Sequence, residues 1–215
     1  MVALPEIREA FARYRPNLIE RPGLRRAAVA VVLRPADRGP ELLFIERARH
    51  EGDPWSGHMA FPGGRVDPGD SSLQRAAERE TREEVGVSLE GAELLGRLDD
   101  LQGRHAGRPG ELVISGFVFH HPEPEPLVPN YEVEQTFWFP LAGLRDPARH
   151  VVRRFGETGA FDYPGIVVGQ PDRHVVWGLT HRFLQLFFEV LGSPLPDPRL
   201  LAERGVAAVE PLERS

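Results

Sequence analysis

Helical and strand periodicities alternate along this chain. From Pro5 to Tyr14 the apolar Ile7, Ala10, Phe11 and Tyr14 recur three and four positions apart, which predicts a short amphipathic helix. Two apolar runs of strand length follow, "RRAAVAVVLRP" and "ELLFIERA", and the turn-rich "PADRGP" between them predicts that they pair. A polar, glycine-bearing loop, "RHEGDPWSGH", then leads into a brief strand, "MAF". After it, Pro62, Gly63 and Gly64 are expected to break regular structure.

The next helix carries its own start and stop. Ser71 with Gln74 three positions later predicts a capping box, and Gly86 ends the helix. Leu73, Ala77 and Val85 form its inward stripe, interrupted by Thr81. Further strands are expected at Ala92 to Leu98, Leu112 to Phe119 and Gln135 to Phe139, the last two separated by the rigid "HPEPEPLVP", with another pair at Gly165 to Val168 and His174 to Val176. A closing helix, "GLTHRFLQLFFEVLG", places Leu179, Phe183, Leu186, Phe187 and Val190 on one face. With no internal repeat and no linker, the pattern predicts one α/β domain over residues 1–193 and a peripheral C-terminal tail over 194–215.

Composition narrows the function classes. A hydrophobic fraction of 41% and a charged fraction of 27% fit a folded globular chain. No stretch approaches the roughly 20 continuous apolar residues of a membrane-spanning helix, and the charged opening lacks the apolar segment of a secretory signal, so a cytoplasmic location is expected. The absence of cysteine excludes disulfides and thiolate metal sites, leaving oxygen and histidine as ligands. The net charge is −6, all 26 basic residues are arginine, and no basic run occurs, which argues against long nucleic acid as a partner. A small anion held through a metal is compatible with that balance.

The candidate chemistry lies in "RETREEVGV", Arg79 to Val87. On a helix Glu80 and Glu84 share one face, with Glu83 on the adjoining edge, so three carboxylates converge. Like charges at this spacing destabilise a helix by roughly 0.2–0.5 kcal/mol per pair, so something must offset them. Arg79 and Arg82 can do so as ion-pair partners. A divalent cation is the other solution, because a backbone bent at Gly63 and Gly64 can add a carbonyl oxygen beside these hard carboxylate ligands, a set suited to Mg²⁺ or Mn²⁺.

These residues resemble the Nudix hydrolase box, G-x5-E-x7-R-E-U-x-E-E-x-G-U with U a bulky apolar residue. Arg79, Glu80, Glu83, Glu84, Gly86 and Val87 match it from the end, and Gly64 stands as the leading glycine. Thr81 occupies a position that is usually apolar. Gly64 precedes Arg79 by 15 positions, one more than the general pattern, so Asp70 takes the place of the intervening glutamate. That expansion, "GGRVDPGD" after "FPGG", together with the late "WGLTHRFL", resembles the coenzyme A pyrophosphatase branch.

The resemblance implies a Nudix-type α/β/α sandwich around a mixed β-sheet. It also implies a small-molecule nucleotide substrate: coenzyme A or an acyl-CoA, cut to 4′-phosphopantetheine and 3′,5′-ADP. An ADP-ribose or dinucleotide pyrophosphatase and a non-catalytic nucleotide-binding module are the alternatives. Glu80 and Glu84 would be the main metal ligands, Glu83 a further ligand or the base, and Gly64 a carbonyl donor. Arg79 would bridge to a carboxylate such as Glu83 or Asp70, holding loop and helix in register.

A general base must also reach the attacking water, and Glu132 and Glu134, at a loop-to-strand junction, join Glu83 as candidates. Arg47, Arg49 and Arg65 are candidates for gripping substrate phosphates, since the guanidinium fork matches phosphate oxygens. His58, His105 and Trp55 read as packing or surface groups. A homodimer is compatible with the chain, closed two-fold pairs being the commonest soluble assembly.

Overall fold

Strand β1 (Arg25–Arg34) is the axis of the molecule, and its near-continuous apolar run is buried on both sides. The computed structural model describes residues 2–50, 56–105, 108–155 and 161–196. The expected readings of Trp55, of the His105 side chain and of the tail beyond residue 196 lie outside the described residues.

In chain order the elements are α1 (Leu4–Arg13), β1, β2 (Glu41–Arg47), β3 (Met59–Ala60), β4 (Gly63–Arg65), α2 (Leu73–Val85), β5 (Glu93–Arg97), β6 (Leu101–His105), β7 (Arg108–His120) and β8 (Val133–Pro140). Two short 3-10 turns follow, then β9 (His150–Phe155), β10 (Phe161–Val167), β11 (Val175–Trp177) and α3 (Gly178–Val190). β1 runs parallel to β7, while β2, β4, β5, β6 and β8 join antiparallel, so the larger sheet is mixed. A three-stranded antiparallel sheet, in the order β11-β10-β9, lies beside it.

Alternation along the strands sorts the core into two layers. Ala28, Ala30, Val32, Leu43 and Ile45 face α2, meeting Ala76, Ala77 and Val85. Val31, Leu33, Leu42 and Phe44 face the other way, toward Ile7 and Phe11 of α1 and Phe183, Leu184, Phe187 and Phe188 of α3. Helices thus cover both faces, the α/β/α sandwich that the resemblance implies. Each fully buried Phe contributes roughly 1.5–3 kcal/mol.

The details depart from the sequence expectation in instructive ways. β1 and β2 touch only through Leu33↔Leu42 and Arg34↔Glu41, then splay apart. Residues 59–65 fill the wedge: Met59 and Ala60 pair with β2, while Gly63 to Arg65 pair with β1. The Gly63–Gly64 segment is therefore a short strand and not a simple break, because the diverging edges offer unpaired backbone groups on both sides. β6 and β9, "LQGRH" and "HVVRRF", were not expected as strands; their polar residues hide the alternation that neighbouring strands impose. At α2 the cap is Ser72, whose Oγ accepts from the Arg75 N–H at 3.1 Å, and not Ser71. Gln74 donates to Glu78 at 2.7 Å instead of closing a capping box. Thr81 fits the buried face because its hydroxyl donates to the Ala77 carbonyl at 2.7 Å.

His181 is buried inside α3, its Nε2 without a hydrogen-bond partner, and burial with the nearby His150 and Arg182 lowers its pKa to about 4. The unfolded chain binds a proton at this ring below pH ~6.5 and the folded chain does not, so stability falls as pH drops from ~6.5 toward 4. Urea unfolding at pH 7 and pH 4.5 should show His181→Leu escaping about 2 kcal/mol of the acid loss that the parent chain suffers. An identical loss in both proteins would refute this.

Candidate active site

The carboxylates meet where the wedge and α2 come together. Gly63 sits at φ +149°, and its N–H donates to Glu84 Oε2 at 2.8 Å. Glu84 is 2% exposed, and burial, with repulsion from Glu80 and Glu132, pushes its carboxyl up to about 8 against the opposing pull of the Gly63 N–H and Arg47. Glu80 is raised too, by burial first and then by Glu83 and Glu132, with Arg79 opposing. Its carboxylate lies against Gly64: a Cβ there would stand 2.5 Å from Glu80 Oε1. Only glycine leaves that space.

Arg79 organises the approach. Its Nε and Nη2 grip both oxygens of Asp70 at 3.0 Å, its Nη1 donates to Glu80 and Glu83 at 3.0 Å, and its Nη2 reaches the Arg65 carbonyl at 3.1 Å. Asp70 is held below the usual carboxylate range by that hydrogen bonding. One guanidinium fork therefore ties the loop after β4 to Glu80 and Glu83 of the helix.

A second segment arrives from the far side of α2. The Val128 and Asn130 N–H groups donate to the Val85 and Glu84 carbonyls at 2.9 Å, capping the helix end. Asn130 Oδ1 then accepts from the Glu132 N–H at 2.8 Å, and the Glu132 carbonyl accepts from Ala48 at 2.8 Å. These bonds place Glu132 where its charge acts on both Glu80 and Glu84. Asn130 escaped the sequence reading, although an Asn after Pro is a turn signal of the kind that fixes such a loop.

The predicted residues thus divide. Glu80 and Glu84 meet at the Gly63–Gly64 backbone, Glu132 lies near enough for its charge to act on both, and Arg47 near enough to act on Glu84. Glu83 is half exposed and engaged by Arg79. Glu134 turns away, 3.5 Å from Arg173, which in turn binds the buried Glu46 at 2.7 Å. Arg49 and Arg65 are exposed. His58 packs its ring against Trp177, 4.5 Å between centroids.

Among the described residues no three His, Asp or Glu side chains converge as a ready-made metal cage. Mg²⁺ does not require one: it keeps waters, takes one or two carboxylates and draws further oxygens from substrate phosphate. Glu80 and Glu84 beside the glycine backbone fit that donor set; burial first, and neighbouring carboxylates second, raise the pKa of both, so a cation bound there would offset the cost of ionising them.

The chain belongs to the Nudix family, its NUDIX domain matching over residues 23–158. It is 33% identical over 181 residues to the mitochondrial coenzyme A diphosphatase NUDT8 of Homo sapiens, across 81% of this chain and 72% of that protein. An uncharacterized protein of Schizosaccharomyces pombe is 35% identical over 159 residues, 65% of this chain but 48% of its own length, so the chain spans about half of it. The crystal structure of a MutT/nudix family protein from Enterococcus faecalis superposes with a TM-score of 0.53 at 19% identity, over 95% of this chain and 81% of that one, which establishes the shared fold.

Proposed function

We propose that this chain is a divalent-cation-dependent pyrophosphohydrolase that cuts coenzyme A or an acyl-CoA into 4′-phosphopantetheine and 3′,5′-ADP. The hydrolytic reading rests on one observation: Glu80 and Glu84 are gathered at the Gly63–Gly64 backbone, with Glu132 delivered beside them by a separately anchored loop. The coenzyme A reading is supported by the Asp70 variant of the box and by the similarity to the human diphosphatase.

We assign Glu80, Glu84 and the Gly64 carbonyl to Mg²⁺ or Mn²⁺, which when bound neutralises phosphate oxygens and makes water a better nucleophile. Of the three candidate bases, Glu83 is held by Arg79 and Glu134 lies toward Arg173; we assign to Glu132, which the exposed Tyr131 hydroxyl also meets, the proton of the attacking water. We assign Arg47, whose charge acts on Glu84, to substrate phosphate, with the exposed Arg49 and Arg65 as further phosphate contacts. A cytoplasmic location and a homodimer are proposed on composition and on general assembly statistics alone.

Turnover with Mg²⁺ over coenzyme A, an acyl-CoA, ADP-ribose and a dinucleoside polyphosphate tests the substrate. Coenzyme A should be hydrolysed fastest, with the two named products; equal or faster turnover of ADP-ribose rejects the choice, and binding without turnover of any substrate returns the non-catalytic module. Glu132→Gln should lower kcat about 100-fold with KM within a factor of about three. A kcat unchanged in that variant assigns the base elsewhere.

A further inference from the structure

Strand β8 carries one residue too many for its partner. Glu46 of β2 pairs with Gln135, but the next residue, Arg47, pairs with Val133, so Glu134 is the extra residue of a β-bulge. The layering records the same insertion: Trp138 and Val133 are an odd number of positions apart, yet both pack in the layer that faces α2. Beyond the bulge the Ala48 N–H donates to the Glu132 carbonyl at 2.8 Å. Pairing without the bulge would set Glu132 opposite Arg49 instead, a slip of about 3.3 Å along β2. The bulge therefore decides where Glu132, whose charge acts on Glu80 and Glu84, stands.

A polar clamp grips this bulge from the turn between β10 and β11. Arg173 Nε donates to Glu46 Oε1 at 2.7 Å and its Nη2 lies 3.5 Å from Glu134 Oε1, so one guanidinium spans both strands at the irregular step. The other oxygen of Glu46 meets His174 Nε2 at 3.4 Å. The Gln170 N–H donates to His174 Nδ1 at 3.1 Å, which leaves the ring hydrogen on Nε2, facing Glu46. The same ring lies 5.2 Å from that of Phe137 on β8. Alternation from Leu42 and Phe44 puts Glu46 in the layer away from α2, so the clamp acts from the face opposite to Glu80 and Glu84. Glu46 is 1% exposed, and a carboxylate taken that far out of water is costly to hold unless it is paired. Phe44, two residues earlier on the same face, fills its position with an apolar ring.

We propose that Glu46, Arg173 and His174 are positioning residues: they hold the β8 bulge from behind the sheet and so fix Glu132 at the carboxylate cluster. This deepens the reading given under Proposed function and rests on it for the role of Glu132. The Glu46 arm is the anchor, because the exposed Glu134 forms an ion pair in water that by itself adds little. A clamp that only tied the small sheet to the large one would lower the stability of the whole chain and touch catalysis through no particular residue. One that acts through the bulge is felt first at Ala48 and Glu132, the next paired residues beyond it.

The test compares Arg173→Gln, Glu132→Gln and their combination with the parent chain, all full length and with urea midpoints recorded. Should Arg173→Gln strand the buried Glu46 charge and misfold, the double variant Glu46→Gln with Arg173→Gln removes both charges at nearly constant shape and keeps the question answerable. Amide hydrogen exchange at Ala48 is followed by kcat and KM for coenzyme A with Mg²⁺. In the clamp variants the Ala48 N–H should exchange about tenfold faster or more, while amides of the β1–β7 ladder keep their parental rates. Their kcat should fall about tenfold with KM within about threefold. In the Glu132→Gln background the same substitutions should cost nothing further, because a residue that acts through Glu132 then has nothing left to position.

Parental exchange at Ala48 in the folded clamp variants overturns the proposal, as does a loss of kcat that is just as large in the Glu132→Gln background. Parental kcat in the clamp variants beside a slow Glu132→Gln overturns it too. The two readings fail separately. A Glu132→Gln variant with parental kcat, or a chain that turns over no coenzyme A, loses the assignment made under Proposed function, and exchange at Ala48 then decides by itself whether the clamp holds the bulge.

Discussion

Glu84→Gln is expected to fold with a melting temperature within a few degrees of the parent chain and to lose hydrolysis by about 10³-fold or more. Glutamine keeps the shape of the buried side chain, and its carbonyl oxygen can still accept the Gly63 N–H that Glu84 Oε2 accepts at 2.8 Å. What it removes is the negative charge most deeply buried in the site, and so an oxygen ligand assigned to the cation. Metal-assisted stabilisation of a phosphoryl transition state is worth several kcal/mol, and each 1.36 kcal/mol is a factor of ten. Steady-state rates across a Mg²⁺ titration check it: the loss should persist at saturating metal, and a variant retaining parental kcat would remove Glu84 from the ligand set.

Gly63→Ala and Gly64→Ala, adjacent and chemically alike, should fail in different ways. At Gly63 an added Cβ would stand 2.3 Å from the Ala28 carbonyl oxygen and 2.6 Å from the Val29 Cα, both main-chain atoms of the central strand. The backbone there, at φ +149°, is a conformation that side-chain-bearing residues rarely adopt. Clash and strain together should cost about 3 kcal/mol or more, read as a lower urea midpoint and poor recovery of soluble protein. At Gly64 the atoms in the way belong to the end of the Glu80 side chain, which can swing aside. That variant should melt close to the parent and lose activity with a raised Mg²⁺ requirement. Equal stability of the two variants, or full activity of Gly64→Ala, would contradict the wedge geometry.

The legible and illegible parts of the molecule differ for physical reasons. Helix α2 could be read because its start, inward stripe and glycine stop are local: Gly86 takes the left-handed conformation at φ 75° that ends the helix. Even there the expected cap, Ser71, was one residue early: the cap is Ser72, since either hydroxyl can reach a backbone N–H three residues on and only the path of the preceding loop chooses. Strands β6 and β9 were invisible because "LQGRH" and "HVVRRF" alternate poorly; they are strands because β7 and β10 offer them unpaired edges. Glu132 and Glu134 are two residues apart and looked equivalent. The bulge between Glu46 and Arg47 and the Asn130 anchor send one toward Glu84 and the other toward Arg173.

By itself the sequence determined the α/β class, the strand character of the β1 and β2 runs, and the concentration of carboxylates on one turn of α2 behind a double glycine, because each depends on periodicity or on residues a few positions apart. The tertiary structure decided what those residues meet: that the glycines line the gap between splayed strands, that Arg79 is spent on Asp70, and that Glu132 reaches the cluster while Glu134 does not. Contacts between separate segments depend on how whole elements pack, and a side chain's local pattern carries no record of its neighbours in space.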